Sequence, residues 1–181
     1  MKKILIIVDV QNGFVRNEAV YEVVQRISAL LEKKLFDTII GTQFLNIPGG
    51  RYEKYLGWKR LQNNEDREIR SEIKPFLNHI VPKTTYNCIN DSFMNLLFCE
   101  NDNVSPEYVF VIGLDTDCCV QTIATSLFDH GIRPFVLTHY CFSNAGDDAH
   151  HAGISVMQRT IGKGGLIDGE ICSEGQLPST Y

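Results

Sequence analysis

Apolar runs and segments of helical periodicity alternate along the chain. Continuous apolar runs at Ile4–Val8 and Tyr108–Leu114 predict strands that are buried on both faces. Apolar positions three and four residues apart predict a helix near residues 19–34, and the same spacing predicts a helix capped by Thr116-Asp117 and ending near Gly131. Weaker signals predict the other elements, which are strands at residues 37–42, His79–Lys83 and 133–137 and helices from residue 90 or 91 and from residue 147 or 148.

Strands that alternate with helices in this way indicate βαβ units, in which the strands are parallel and the crossovers right-handed. We therefore expect an α/β protein with three α/β/α layers around a mainly parallel, Rossmann-like sheet. The length of 181 residues fits one domain, and no repeat or linker divides residues 1–181.

Residues 43–70 form a long excursion without strong periodicity. A segment of this kind in a compact domain is usually functional or disordered. Four aromatic residues, Phe44, Tyr52, Tyr55 and Trp58, favour an ordered loop that covers a pocket. The last twenty residues of the chain show no pattern from which we predict a structure.

Chemically active side chains follow three of the predicted strands: Asp9 after the first, Lys83 at the end of the third, and Cys118-Cys119 after the fourth. Because the carboxyl ends of parallel strands meet at one edge of the sheet, we expect these groups to lie together. A helix N-terminus lowers the pKa of a thiol and can hold an oxyanion, which suits Cys119. A carboxylate that accepts the thiol proton and a lysine that orients it would complete a metal-free acyl-transfer site.

Three segments at these strand ends resemble motifs of the isochorismatase-like cysteine hydrolases. Residues 8–14 (VDVQNGF) resemble the opening D-x-Q-x-x-F of that family, and residues 113–120 (GLDTDCCV) resemble its nucleophile turn G-x-x-T-D-x-C-V. Residues 82–87 (PKTTYN) are similar to its K-x-x-Y-S segment, with Asn87 where serine is usual. The resemblance extends over roughly residues 3–160, and three motifs in the right order at strand ends are fairly specific.

The resemblance implies a catalytic triad of Asp9, Lys83 and Cys119 on an α/β/α domain. In this family the cysteine attacks an amide or related C–N carbonyl and forms a thioester. The aspartate passes the proton to the leaving amine and then activates water. The resemblance also implies a cis peptide bond between Leu114 and Asp115, and an oxyanion hole made by the backbone N–H groups of Asp115 and Cys119.

Cys118 is the neighbour of the expected nucleophile. It occupies the variable position of the family motif. A step of one residue along an α-helix turns the side-chain direction by about 100°, so Cys118 would point away from Cys119. The motif therefore favours Cys119 over Cys118 as the nucleophile. A disulfide between these adjacent cysteines is an alternative that no motif supports.

Five further residues are expected to contact the substrate. Gln11 and Phe14 belong to the first motif, and Tyr52, Trp58 and Tyr86 would supply the apolar walls of a pocket. The alternative is that these side chains have only a local structural role. Gln11 would then be a polar residue at a helix start, Phe14 a core aromatic residue, and the other three would pack within loops.

The segment after the second strand bears on metal binding. Metal-dependent nicotinamidases of the family carry an aspartate and two histidines there, but Phe44 and Asn46 occupy the positions of the aspartate and the first histidine. We therefore expect no metal and no other cofactor, and nicotinamide is a less favoured substrate. Isochorismate hydrolases that cleave a vinyl ether generally lack the nucleophilic cysteine, so Cys119 favours amide chemistry. The leading hypothesis is a metal-independent cysteine hydrolase that cleaves a C–N bond of a small carboxamide or ureido compound.

Three alternatives stay open beside this hypothesis. One is a vinyl-ether hydrolase that uses Asp9 and Lys83 without the thiol. Another is a non-catalytic binding protein on the same scaffold, with an unactivated Cys119 and a filled or collapsed pocket. A flavodoxin-like cofactor binder is less favoured, because Gln11-Asn12-Gly13 stands where a phosphate-binding loop would follow the first strand.

Composition and charge narrow the partners and the compartment. Seventeen Lys+Arg against 22 Asp+Glu give a net charge of −5, which argues against nucleic-acid and anionic-membrane partners. None of the six cysteines forms a C-x-x-C pair, and no stretch approaches the ~18–20 apolar residues of a membrane span. We expect a reduced cytoplasmic protein that acts on a small amide-type molecule. The resemblance adds the expectation of a homo-oligomer, without fixing its size.

Overall fold

A computed structural model describes residues 2–178, and within this range the chain forms a six-stranded sheet. Its strands are β1 (Ile4–Val8), β2 (Thr38–Phe44), β3 (His79–Lys83), β4 (Tyr108–Leu114), β5 (Arg133–Phe142) and β6 (Leu166–Ile167). All neighbours pair in parallel, in the order β3-β2-β1-β4-β5-β6. The predicted Rossmann-like α/β class is confirmed. Residues 179–181, in the C-terminal stretch without a predicted structure, lie outside the described residues.

Helices connect the strands and cover the sheet. They are α1 (Glu18–Glu32), α2 (Arg51–Leu56), α3 (Asn64–Arg67), α4 (Asp91–Glu100), α5 (Gln121–Asp129) and α6 (Asp147–Thr160). The connections from β1 to β2 and from β4 to β5 proceed in opposite directions along the sheet, so right-handed crossovers place α1 and α5 on opposite faces. Across residues 2–178, no helix has the length and apolar character that crossing a membrane requires.

Helix α1 shows how the apolar spacing produces a packed element. Asn17 caps its first turn by accepting a hydrogen bond from the Val20 backbone N–H at 2.9 Å. Its apolar positions form one buried face, consisting of Val20, Val23, Val24, Ile27, Leu30 and Leu31. All residues of the central strands β1 and β4 are buried, because helices cover both faces of the sheet.

Three elements differ from the sequence prediction. Strand β2 continues to Phe44 and β5 to Phe142, beyond the predicted ends at residues 42 and 137. The segment 43–70 contains the two short helices α2 and α3, and an antiparallel bridge between Gln11 and Ile69 fixes it to the start of the chain. The excursion is therefore ordered, and it lies over the carboxyl end of the sheet.

Candidate active site

The carboxyl ends of β1, β3 and β4 bring Asp9, Lys83 and Cys119 into one site. Asp9 follows β1, Lys83 is the last residue of β3, and Cys119 lies in the turn after β4. Lys83 Nζ is 2.7 Å from Asp9 Oδ2 and 3.2 Å from Cys119 Sγ. All three residues are buried. The ammonium group thus links the carboxylate to the thiol in a site largely withdrawn from water.

The neighbouring strand β2 holds the Asp9 carboxylate. Thr42 Oγ1 donates a hydrogen bond to Asp9 Oδ1 at 2.6 Å and accepts one from the Asp9 backbone N–H at 3.1 Å. Asp9 Oδ2 receives no aligned hydrogen bond from residues 2–178, although it lies at ion-pair distance from Lys83. The Asp9 backbone has a φ of 51°, a conformation that aspartate tolerates better than most residues and that recurs at functional sites. One carboxylate oxygen is therefore held by Thr42, and the other faces the Lys83 ammonium group.

Lys83 Nζ is surrounded by acceptors. Besides its contacts with Asp9 and Cys119, it donates to the backbone carbonyls of Thr85 at 3.0 Å and Tyr86 at 3.2 Å. Burial alone would lower the pKa of Lys83, but the charges of Asp9 and of a Cys119 thiolate raise it above its usual range. The groups around Lys83 therefore favour its charged form.

The expected nucleophile lies in a π-helical turn, Thr116–Val120, between β4 and α5. The prediction that Thr116 and Asp117 cap an α-helix is wrong, because both residues lie inside this wide turn. Asp115 occupies the N-cap position, and its side chain makes no capping hydrogen bond. The Thr116 hydroxyl instead forms a hydrogen bond of 2.8 Å with His150 Nδ1 of α6. Single π-helical turns of this kind are frequent at functional sites.

Helix α6 packs directly against this turn. A Cβ atom added at Gly153 would lie 2.8 Å from the backbone N and Cα atoms of Asp117. Glycine permits this close approach because it has no side chain. The position of Cys119 therefore depends on a helix that follows it in the chain.

The surroundings of Cys119 disfavour the thiolate form of its side chain. Burial raises the pKa of Cys119 well above its usual value and the charge of Asp9 raises it further, while Lys83 opposes both effects. The prediction that a helix N-terminus lowers this pKa is wrong, because the residue is only 4% exposed and lies beside a carboxylate. Formation of the thiolate therefore needs a proton acceptor, and the Asp9 carboxylate contacts the same ammonium group as the thiol.

The burial of Cys119 predicts its order of reaction with a small alkylating reagent. At pH 7 and without ligand, we expect iodoacetamide to modify the exposed Cys99 and Cys172 before Cys119, because the thiolate is the reactive form. Peptide mass spectrometry of samples quenched over time gives the three rates. The labelling rate of Cys119 should continue to rise with pH beyond the usual thiol pKa of about 8.5, because the pKa of Cys119 is raised. Faster modification of Cys119 than of Cys99 at pH 7 would contradict a raised pKa.

A cavity of about 260 Å³ lies beside Cys119. Its aromatic walls are Phe14, Phe44, Tyr52, Trp58 and Tyr86, and its other lining residues are Arg16, Leu56, Asp115, Cys118 and Cys119. The volume is just below the ~300–1,000 Å³ typical of small-molecule sites. The cavity suits a small ligand with a flat or apolar part.

Ring contacts hold the aromatic walls together. The Phe14 and Trp58 rings stack with centroids 5.8 Å apart, and the Tyr52 ring meets Phe44 at 5.0 Å and Tyr86 at 5.2 Å in edge-to-face geometry. Four of the predicted substrate contacts, Phe14, Tyr52, Trp58 and Tyr86, thus line one cavity. Their contact with a substrate stays a prediction.

Gln11 does not line the cavity, although its motif position predicts a substrate contact. Its side chain is fully buried and bonded to backbone. Gln11 Nε2 donates to the carbonyls of Phe44 at 3.0 Å and Arg67 at 2.8 Å, and Gln11 Oε1 accepts from the Phe44 N–H at 2.7 Å. Gln11 therefore ties the end of β2 and the segment 43–70 to the start of the chain.

Cys118 also lines the cavity, contrary to the expectation that it rotates away from Cys119. The two cysteines are adjacent in the π-helical turn, and the cavity is wide enough to touch both of them. Burial raises the pKa of Cys118 to about 12, and the charge of Asp117 adds to this effect. The ammonium group of Lys83 contacts Cys119 Sγ, and this contact distinguishes the two thiols.

Asp115 begins the turn beside Cys119. The peptide bond between Leu114 and Asp115 is cis. Asp115 Oδ1 accepts hydrogen bonds from Asn144 Nδ2 at 2.7 Å and from the Asn144 backbone N–H at 3.1 Å. Burial nevertheless raises the pKa of Asp115 to about 6. The oxyanion role of the Asp115 and Cys119 backbone N–H groups stays a prediction.

Phe44 and Asn46 occupy the positions where metal-dependent nicotinamidases of the family carry an aspartate and a histidine. Phe44 is buried among the aromatic walls, and Asn46 Nδ2 donates to the backbone carbonyls of Trp58 at 3.0 Å and Arg60 at 2.8 Å. In the described part of the chain, no three His, Cys, Asp or Glu side chains are grouped so as to hold a metal ion.

Four residues of the site are not identified by the sequence patterns: Arg16, Thr42, Leu56 and Asn144. Thr42 is a polar residue near the carboxyl end of β2, so the strand-end rule that selects Asp9 could also have selected it. The other three lie on connecting segments or the short helix α2, where no local pattern marks them.

A family model of the isochorismatase domain matches residues 3–164. The chain belongs to the isochorismatase family. The resemblance of the three strand-end motifs to this family is therefore confirmed. No curated protein sequence matches the chain.

Solved structures share the isochorismatase fold at low sequence identity. An isochorismatase-like hydrolase from Alkaliphilus metalliredigens is 15% identical with a TM-score of 0.76, covering 93% of this chain and 95% of that chain. N-carbamoylsarcosine amidase from Thermoplasma acidophilum is 18% identical with a TM-score of 0.74, covering 94% and 96%. A nicotinamidase from Bacillus subtilis is 19% identical with a TM-score of 0.70, covering 94% and 100%. At these identities the likeness establishes the shared fold.

Proposed function

We propose that this isochorismatase-family protein is a metal-independent cysteine hydrolase that cleaves a C–N bond of a small carboxamide or ureido compound through a thioester. The observation that carries the proposal is the contact of Lys83 Nζ with both Asp9 Oδ2 and Cys119 Sγ beside a small cavity. A thiol next to a carboxylate acceptor and a fixed cation has the groups that covalent acyl transfer requires.

Asp9 serves as the proton acceptor in the first half of the reaction. Asp9 Oδ2 takes the thiol proton while Cys119 Sγ attacks the carbonyl carbon of the substrate. The negative charge that develops on the carbonyl oxygen would be stabilised by the backbone N–H groups of Asp115 and Cys119. As the C–N bond breaks, Asp9 gives the proton to the nitrogen, and ammonia or an amine leaves. The acyl group remains on Cys119 as a thioester.

Water completes the reaction in the second half. Asp9 accepts a proton from a water molecule, whose oxygen attacks the thioester carbon. The C–S bond breaks, the acid product forms, and the proton returns from Asp9 to Cys119 Sγ. Throughout both halves Lys83 orients Asp9 and offsets the negative charge that moves between carboxylate and sulfur.

Two structurally similar proteins have names that agree with this chemistry. They are the N-carbamoylsarcosine amidase and the nicotinamidase, which are 18% and 19% identical to this chain. Their names support a C–N bond as the target, whereas the choice of substrate depends on the residues of this chain's own cavity.

Trapping the acyl-enzyme tests the proposal. A panel of small carboxamides and ureido compounds is screened for ammonia release, and reactions with active compounds are quenched in acid for mass spectrometry. We expect an acyl adduct on the peptide that contains Cys119. Cys119→Ala should lose the adduct and about 10³-fold or more of the turnover, while its circular dichroism stays unchanged. Cys118→Ala, which removes the other thiol of the cavity, should keep the adduct, and the control Cys99→Ala, at an exposed thiol that does not line the cavity, should keep both adduct and turnover.

The same variants separate the alternatives. Ammonia release that persists in Cys119→Ala would rule out the covalent step. Turnover of a vinyl ether that survives Cys119→Ala but is lost in Asp9→Asn would indicate the thiol-independent hydrolase. Ligand binding without turnover of any compound would indicate a binding protein.

A further inference from the structure

Two charged side chains, Asp115 and Arg16, line the cavity together with its five aromatic residues. Asp115 is partly exposed, and Arg16 is exposed. A ligand in the cavity therefore meets a guanidinium group as well as the thiol of Cys119.

The Arg16 guanidinium is held in place by a hydrogen bond and forms no ion pair with a carboxylate of residues 2–178. Arg16 Nε donates to Asn144 Oδ1 at 3.1 Å, which orients the guanidinium plane. The two terminal nitrogens of the guanidinium are thus available, and their paired N–H groups match the two oxygens of a carboxylate.

Asn144 bridges the two charged groups. Its Oδ1 accepts a hydrogen bond from Arg16 Nε, and its Nδ2 and backbone N–H both donate to Asp115 Oδ1. Arg16 and Asp115 are therefore neighbours that are separated by one amide and form no direct ion pair. Because Nε makes the contact with Asn144, the two terminal nitrogens of the guanidinium remain available to a ligand.

We propose that the substrate carries a carboxylate in addition to the scissile C–N bond, and that Arg16 selects this carboxylate. This proposal rests on the proposed function, because it concerns the substrate of the same site. With the scissile carbonyl at Cys119 Sγ and the carboxylate at Arg16, the rest of the molecule would lie against the aromatic walls. The cavity volume of about 260 Å³ limits the molecule to a small spacer, either a short chain or a single ring.

Matched pairs of anionic and neutral amides test the proposal. The pairs are succinamate with succinamide, and 4-carbamoylbenzoate with 4-acetylbenzamide. Ammonia release is measured with the wild-type protein, and binding is measured by isothermal titration with Cys119→Ala. In both measurements we expect a preference for the anionic member of at least one pair. Arg16→Gln should weaken this preference about 10–100-fold, because a charge-assisted bidentate contact is lost.

Two further variants show whether the guanidinium itself selects the anion. Arg16→Lys keeps the charge but not the paired N–H groups, so we expect an intermediate loss. Arg60→Gln removes another exposed arginine that does not line the cavity, and it should leave the preference unchanged. A preference lost equally in Arg60→Gln would mean that only the overall charge matters, and this result would overturn the proposal.

The binding measurement separates this proposal from the proposed function. One outcome is that no amide is hydrolysed but the anionic probes bind, and that Arg16→Gln weakens their binding. This outcome would support the anion site and contradict the proposed hydrolase activity. Equal binding of both members of each pair, tighter binding of the neutral members, or no binding of any anionic probe would overturn the proposal even in an active hydrolase.

Discussion

Replacing Lys83 by methionine is expected to abolish turnover and to lower the free energy of unfolding by about 3–5 kcal/mol. The side chains of Lys83 and Asp9 are 2% and 0% exposed, and they form an ion pair of 2.7 Å. Loss of the ammonium group leaves the Asp9 carboxylate buried without its counter-charge, and it also removes the donor to the carbonyls of Thr85 and Tyr86. Urea unfolding at pH 7 measures the stability, and ammonia release measures the activity.

A double-mutant cycle separates two contributions to the loss of unfolding free energy. One comes from a buried charge without a partner, and the other comes from the changed side-chain shape. The variants are Lys83→Met, Asp9→Asn and the two substitutions together. The double variant removes both charges, so it should lose less stability than the sum of the single variants, by at least about 1 kcal/mol. Additive losses would show that the ion pair contributes nothing to folding. Turnover should be absent from all three variants.

Replacing Gly113 by alanine is expected to destabilise the protein by more than about 4 kcal/mol, among the largest effects of a single substitution. Gly113 pairs with Val8 across β4 and β1 and has a φ of 122°. An alanine Cβ at this position would lie 2.3 Å from the Val8 carbonyl oxygen and 2.7 Å from the Val8 nitrogen. Both are backbone atoms, so the two central strands would have to separate. Because Val8 directly precedes Asp9, the separation would also move Asp9 away from Cys119.

Gly131→Ala is the matched control for this steric effect. Gly131 has a φ of 79°, but an added Cβ would meet no atom within 4 Å. Its substitution therefore measures backbone strain alone, for which we expect about 1–2 kcal/mol. Urea unfolding of both variants, with the soluble yield as a second readout, gives the comparison. If Gly113→Ala unfolds at the same urea concentration as Gly131→Ala, the close approach of the strands is not a constraint on the fold.

Long buried elements are the part of the fold that the sequence predicts best. The runs Ile4–Val8 and Tyr108–Leu114 have the same bounds in the structure as in the pattern, because strands covered on both faces are apolar at every position. The short β6 and the helices α2 and α3 have no such signal. They are held by contacts with distant segments, such as the bridge from Gln11 to Ile69.

The environment of each side chain is where sequence patterns fail. The position of Gln11 in its motif favours a substrate contact, but the backbone of Phe44 and Arg67 uses its amide completely. A helix start favours a lowered pKa for Cys119, but burial and the Asp9 charge raise it. Both outcomes depend on groups that are remote in sequence and adjacent in space.

The sequence by itself determines that Asp9, Lys83 and the Cys118-Cys119 pair stand at the ends of parallel strands, and therefore at one edge of the sheet. Strand direction and chain order are sufficient for this, because they follow from local periodicity and right-handed crossovers. Only the tertiary structure decides that Lys83 contacts Cys119 rather than Cys118, and that Arg16 lines the cavity and is bonded to Asn144. Distances, burial and hydrogen-bond partners decide these points, and they are set by packing between segments that no local pattern relates.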